Sequence, residues 1–339
     1  MPLPAVRAAC AENICCHPHP SPARRTGGAE SETAKTVCGR PTLIPMVEVL
    51  PFTHQLAHRL AQAGLRGASW YWRIARFLQH PPPPGLVCLP NGMPLMNHPD
   101  DWTCRTAYEG TYEREILRLL GDLVHEGDLV IDVGANVGII SARAAGLVGL
   151  SGRVIAVEPS PRCVGALLEI TGGLGNVTVI TAALGDTDGM VELTGWDNPD
   201  HRGLGSVVPG HRSGLAENWY EGETLHVPQL TLRNLLSEQV DKEDEIALLK
   251  IDVEGYEPDV LRGAPELFSN RRVRAAILEV TTTLPVDWVG DLLESTSANY
   301  DAYAIEEAGR IKKRLALRAI DAETAMAKSV QWNLLLRRR

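Results

Sequence analysis

The 339-residue chain has no long apolar run. No stretch approaches the ~18 uncharged apolar residues that a membrane-spanning helix requires. Its first twenty residues, MPLPAVRAACAENICCHPHP, hold no apolar core of the kind a secretory signal carries. Cysteines are few, scattered and odd in number, seven in all, which fits a reducing compartment better than a disulfide framework. These absences give the expectation of a cytoplasmic protein. A basic excess is also missing from the main body. Residues 100–339 carry 24 Lys/Arg against 38 Asp/Glu, whereas residues 1–99 carry nine against four. An acidic body argues against a nucleic-acid phosphate groove. Conversely, no acid occurs between Glu48 and Asp100.

Residues 1–45 are rich in Pro, Ala, Ser, Thr and Gly and lack periodicity, so they are expected to be a disordered leader. Cys15-Cys16-His17-x-His19 lies inside it, but no second ligand pair sits at a usual spacing, so no metal site is expected. Residues 46–85 read as a basic amphipathic helical segment, broken at Gly64 or Gly67 and closed by the stiff linker PPPPG. Leu56, Leu60, Ile74 and Leu78 recur at helical spacing, with Arg59, Arg66, Arg73, Arg76 and Trp70-Tyr71-Trp72 among them. Two readings stand for residues 53–79: weak contact with an anionic membrane surface, or packing of the apolar face on the acidic domain beside it.

From Leu86 to the end the pattern is that of one α/β domain. LVCLPNGMPLM suggests a hairpin around Asn91-Gly92, and Thr111 is placed to cap a helix through YEREILRLLGDLV. After Gly127, strands that are apolar nearly throughout alternate with helices, the signature of a doubly wound, Rossmann-like, mostly parallel sheet. NVTVITAAL reads as one strand, residues 189–228 as an irregular insertion, and DAYAIEE and SVQWNLLLRR as the last two strands. The ligand of such a sheet sits beyond the carboxyl ends of the strands, where strand order reverses.

Two runs carry the chemistry. LVIDVGANVG (129–138) is a strand breaking into a glycine loop. A dinucleotide fingerprint needs a middle glycine, and Asn136 stands there; no Lys-Ser/Thr follows, so a hydrolase phosphate loop is excluded. Asp132, two residues before Gly134, would repel pyrophosphate and suits a cationic ligand. Glu158 ends the next strand and is placed to accept hydrogen bonds from ribose hydroxyls. Asp186, after AALG, is the third expected contact, beside an adenine. The second run, LLKIDVEGYEPDVLRGA (248–264), is a buried strand with charge near its end. By alternation Lys250, Asp252 and Glu254 share a face. In doubly wound order this strand adjoins the Asp132 strand, bringing Asp252 close to Asp132. A Lys250–carboxylate pair that only supports the sheet is the alternative role.

DVGANVG followed by KIDVEGYEPDVLRGA resembles the FkbM-type methyltransferases, within the class I S-adenosylmethionine-dependent fold. The likeness covers about residues 108–337 and includes AVEPSP and AALGDTDG. It implies a seven-stranded sheet, S-adenosyl-L-methionine as cofactor, and methyl transfer to a hydroxyl of a sugar or secondary metabolite. The expected cofactor-binding set is Asp132, Gly134, Ala135, Asn136, Gly138, Glu158, Pro159 and Asp186. Candidates for the base or substrate orienter are Asp252, Glu254 and His201 or His211 of the insertion. The insertion is the expected substrate wall, through Trp196, His201, Arg202, His211, Arg212, Trp219 and Tyr220. Asp252, Glu254 and Glu279 could instead hold a divalent cation, which a chelator would reveal. A scaffold without catalysis and an NAD-dependent oxidoreductase are the rival readings; the intact loop speaks against the first and Asp132 against the second.

Overall fold

A computed structural model describes residues 48–65, 68–78, 84–197, 205–208, 222–281, 285–309 and 313–339. The expected leader, residues 1–45, lies outside them. Fourteen strands are assigned within the described residues: β1 Glu48–Val49, β2 Gly85–Cys88, β3 Pro94–Asn97, β4 Leu129–Val133, β5 Arg153–Val157, β6 Val177–Ile180, β7 Ala183–Gly185, β8 Gly189–Leu193, β9 Leu225–Thr231, β10 Ile246–Ile251, β11 Val273–Val280, β12 Tyr300–Ala308, β13 Arg314–Ala319 and β14 Trp332–Arg338.

The main sheet runs β13-β12-β14-β11-β10-β4-β5-β6. Strands β6, β5, β4, β10 and β11 are mutually parallel, and β14 enters antiparallel between β11 and β12. This is the expected doubly wound, Rossmann-like α/β sheet. Seven strands were expected and eight are present. The addition, β13, pairs antiparallel with β12 at the sheet edge. Its residues RLALRA are mostly exposed and carry two arginines. Charge on an edge strand blocks further pairing, and it also hides the strand in a hydropathy pattern.

Every residue of β4 and β10 is buried, as a central parallel strand demands. Alternation then divides the core. Leu129, Ile131, Val133, Leu249 and Ile251 point into one layer with the helices Leu232–Gln239 and Asp287–Thr296. Val130 and Leu248 point into the other, against Ile116, Leu119 and Leu120 of the helix Arg114–Leu123 and Ile140 and Ala144 of the helix Ile139–Val148. Asp132 and Lys250 share the parity of Val130 and Leu248, so both face this second layer. They are direct register partners. The chain leaves β4 toward β5 on one side and returns to β10 on the other, so the switch point lies between them.

Three local readings are corrected. NVTVITAAL is two strands: β6 belongs to the main sheet and β7 to a small sheet ordered β7-β9-β8. The two arms of the 189–228 insertion are themselves β8 and β9, paired antiparallel from Gly189↔Gln229 to Leu193↔Leu225. Thr111 does not cap a helix; its hydroxyl donates to Thr106 O, and the helix starts at Arg114. The Asn91-Gly92 hairpin is present, with β2 antiparallel to β3 and Met93 N donating to Asn91 Oδ1.

Candidate functional site

After Val133 the chain cannot continue as a strand. Gly134 has φ +75°, and an added Cβ there would lie 1.8 Å from Asp252 O. Only glycine combines that backbone with that approach. Gly134 N and Ala135 N both donate to Val157 O, at 2.9 and 3.0 Å, which folds the loop back over β5. Asn136 also has positive φ, 52°, the region asparagine tolerates better than most residues. Its N–H donates to Glu158 Oε2 at 2.8 Å, while Glu158 Oε1 accepts from Ser160 N at 2.9 Å. The acid that ends β5 is therefore the clamp of the glycine loop. Glu158 is 7% exposed, and burial pushes its carboxyl up to about 7. Gly138 then opens the helix Ile139–Val148.

Lys250 is the hub between the two sequence signatures. Its Nζ lies 3.1 Å from Asp252 Oδ2 and 3.5 Å from Asp132 Oδ1, and donates to Gly134 O at 3.3 Å. Burial alone would lower the pKa of this ammonium. Asp252, Asp132 and Glu113 together hold it above the usual lysine range instead. Asp132 has no exposure, and its Oδ2 accepts from Ser141 Oγ at 2.6 Å. The sequence reading turned Asp132 toward a cationic ligand. In the structure it is sealed beneath the loop, and its nearest cation is the chain's own lysine.

Asp252 lies just beyond β10, with a side chain 21% exposed. The expectation that Glu254 continues the strand alternation is corrected: Glu254 has φ 56° and Gly255 φ 96°, so the chain turns sharply there. Glu254 O accepts from Ser206 Oγ at 3.0 Å, tying a described part of the insertion to this turn. Glu257 closes the turn from inside, accepting from Val253 N at 2.9 Å and Gly255 N at 3.2 Å. Beside it opens a cavity of about 340 Å³ lined by Tyr256, Glu257, Asp259, Arg262, Thr281 and Trp288, with Val208 of the insertion at its rim.

Two residues of the site escaped the sequence reading. Tyr112 and Glu113 precede the helix Arg114–Leu123, on the face of the sheet that carries Lys250. Glu113 is held at φ 38°, a left-handed conformation that is strained for glutamate. Burial raises its carboxyl to about 7, with Asp252 and Glu254 adding to the rise and Lys250 opposing it. Tyr112 is pushed well above its usual range by burial and then by Glu113, Asp252, Asp132 and Glu254. No motif marks either residue, because their place in the site comes from packing across the sheet. Glu279, on β11, is also raised well above the carboxylate range by burial and by Asp252, Glu254 and Glu257; Gln331 Nε2 donates to its Oε1. Among the described residues, no group of three His, Cys, Asp or Glu side chains is arranged to hold a metal ion.

The remaining sequence candidates fall as follows. Asp186 is exposed after β7, accepting from Thr187 Oγ1 at 3.3 Å, and Pro159 is half-buried beside Glu158. Trp196 Nε1 donates to Glu223 O at 2.8 Å. His201, Arg202, His211, Arg212, Trp219 and Tyr220 lie outside the described residues. The donor set at the switch point fits an adenosine ligand: a clamped carboxylate at the end of β5, a loop whose tight turn Gly134 makes possible, and, two residues past Glu158, a buried Ser160 hydroxyl with no hydrogen-bond partner.

The buried acids predict a pH dependence. Burial raises Glu257 to about 8, and Glu158 and Glu113 to about 7. Between the ordinary glutamate value and these values the folded chain holds more protons than the unfolded one, so their contribution to stability falls as pH rises. His58 acts oppositely: burial lowers it to about 4, so its contribution is lost as pH falls below 6.5. The melting temperature should therefore fall from pH 6.5 to pH 8, and Glu257→Gln should melt higher than the wild type at pH 8. A wild-type melting temperature that climbs over that interval contradicts this account.

A family model described as the methyltransferase FkbM domain matches residues 132–309, more than half of the chain. No curated protein matches. Among solved structures, the methyltransferase FkbM from Methylobacillus flagellatus is 14% identical, with a TM-score of 0.35 over 70% of this chain and 55% of that one. An S-adenosylmethionine-dependent O-methyltransferase from Thermotoga maritima is 14% identical, with a TM-score of 0.35 over 78% and 80%. A methyltransferase from Streptococcus mutans in complex with S-adenosylhomocysteine is 8% identical, with a TM-score of 0.37 over 66% and 95%. At such identities and scores these likenesses say nothing of substrate.

Proposed function

This chain belongs to the FkbM methyltransferase family, and from that premise we propose that it methylates a hydroxyl oxygen of a small, polar acceptor such as a sugar or a hydroxylated secondary metabolite. S-adenosylmethionine is the cofactor, and when bound it supplies a methyl group already activated on a sulfonium. The chain's own residues have three tasks. Glu158 and the loop from Gly134 to Gly138 hold the adenosine end, with Asp186 a further proposed contact. The Lys250–Asp132–Asp252 cluster fixes the glycine loop against the second motif, so that donor and acceptor sites cannot drift apart. Alignment of this kind can be worth up to ~7–11 kcal/mol of barrier in model systems.

The third task is removal of the acceptor's proton. Asp252 stays the proposed substrate orienter, because Lys250 holds its Oδ2 at 3.1 Å. For the base we favour Glu113, a carboxylate raised to about 7 in a strained turn close enough to feel the charges of Asp252 and Lys250. A base poised near working pH contributes roughly 10²–10⁴-fold. Glu254 and His201 are retained as its rivals. The observation that carries the acceptor class is the cavity beside the Asp252 turn, whose Tyr256 and Trp288 rings and polar Asp259 and Arg262 side chains suit a polar ring. The insertion borders that cavity through Val208, and Ser206 ties it to the Glu254 turn, which supports its role as substrate wall.

The test is transfer of labelled methyl from S-adenosylmethionine to a panel of hydroxylated acceptors and to RNA. Methyl ether formation on a small acceptor is expected; label on RNA or on amines alone overturns the acceptor class. Stabilisation by S-adenosylhomocysteine but not by NAD is expected in a thermal shift; stabilisation by neither favours a scaffold. Glu113→Gln should lower turnover by about 10²-fold or more and remove the acid limb of the pH–rate profile near 7. An intact limb in that variant transfers the role to Glu254 or His201.

A further inference from the structure

The helices Phe52–Gln62 and Ala68–Leu78 are joined to the domain by an unusual face. The buried side of the first is His54, Ala57, His58 and Ala61. His54 Nδ1 and Tyr108 Oη lie 2.9 Å apart, and His58 Nδ1 lies 2.8 Å from Tyr108 O. The second helix is anchored by Trp72, which is 2% exposed and donates from Nε1 to Glu109 O at 3.0 Å. Leu56 and Ile74, two of the four residues that the sequence pattern marks as a face, point the other way, together with Phe52, Trp70 and Phe77. Phe77 is 90% exposed, Phe52 75%, Trp70 61%, Leu56 49% and Ile74 38%.

Their spacing is regular. Phe52, Leu56 and exposed Arg59 lie at i, i+4 and i+7 on the first helix; Trp70, Arg73, Ile74 and Phe77 lie at i, i+3, i+4 and i+7 on the second. Each exposed stripe thus mixes large apolar rings and aliphatics with arginine. No acid interrupts residues 49–99, while residues 100–339 carry the acid excess.

We propose that this helix pair is a peripheral docking face for an anionic lipid surface, independent of the methyl-transfer reading above. Charge complementarity selects the occupant. Trp, Phe, Leu and Ile enter the interfacial region, arginines meet lipid phosphates, and the acidic body is repelled from the same surface and so turns this face toward it. Stable attachment needs both contributions, since neither a short apolar stripe nor a few basic groups holds a protein alone.

The test uses the full chain with vesicles of phosphatidylcholine alone and of phosphatidylcholine with about one-third phosphatidylglycerol. Co-sedimentation with the anionic vesicles is expected, falling about tenfold or more in neutral vesicles or in high salt. The double variant Trp70→Ser, Phe77→Ser should lose about tenfold or more of the binding while keeping the wild-type melting temperature and its shift with S-adenosylhomocysteine. Absence of binding to either vesicle overturns the proposal, as does binding that the double variant retains. A concentration-dependent dimer dissociated by the same substitutions also overturns it and assigns the face to a second copy of the chain.

Discussion

Replacing Lys250 by methionine should cost about 3–5 kcal/mol of folding stability, the cost of stranding a buried charge. Lys250 is 4% exposed and Asp132 has no exposure, so removing the ammonium leaves a carboxylate with no water to turn to. Asp252 and Gly134 O lose the same partner. The linkage sign is plain: the lysine's folded-state pKa lies above its unfolded value, so its stabilisation is fully present at every pH below the lysine range. Urea unfolding measures the loss. Adding Asp132→Asn to Lys250→Met should recover a large part of it, because the stranded charge is gone. A single variant within about 1 kcal/mol of wild type would falsify the hub role.

Gly134→Ala should abolish measurable binding of S-adenosylhomocysteine, a loss of roughly a hundredfold or more, equivalent to about 2.7 kcal/mol. Part of the cost is intrinsic, because a left-handed backbone is roughly 1–2 kcal/mol worse for alanine than for glycine. The larger part is steric. The new Cβ would meet Asp252 O at 1.8 Å and its carbonyl carbon at 2.8 Å, and these are backbone atoms with no rotamer to yield. Relief requires the glycine loop to part from the second motif, which misplaces Asn136 and Glu158 together. Gly165→Ala is the control: it lies in the helix Pro161–Thr171 with nothing within 4 Å of the added carbon. That change should stabilise the protein by about 0.5–1 kcal/mol and leave binding intact. Calorimetric titration distinguishes the two variants; equal affinity in both would show that the loop tolerates separation.

How much of the site was legible depended on how local its signals are. A glycine that must turn leaves its mark in one position, and Gly134 and Gly138 could be read directly. The adjacency of Asp132 and Asp252 followed from the order rule for parallel sheets, and the structure places Lys250 and Asp132 in register. The direction of a charge is different, because it depends on what stands across from it. Asp132 looks like a ligand carboxylate until Ser141 and Lys250 are seen to cover it. The helix stripe of Leu56 and Ile74 leaves packing and surface contact both open until His54, Ala57 and His58 are found taking the packing place.

By itself the sequence determined the class of fold, the switch point and the glycine loop, since each follows from periodicity, strand burial and backbone freedom within a few residues. Tertiary structure alone decided the clamp on the loop, the lysine hub, the strained Tyr112–Glu113 turn, the eighth strand, and which face of the first helices meets solvent. Those features are set by contacts between residues far apart in the chain, such as the 116 positions separating Lys250 from Gly134. Burial and neighbouring charge act through space, and only the folded chain fixes which groups share that space.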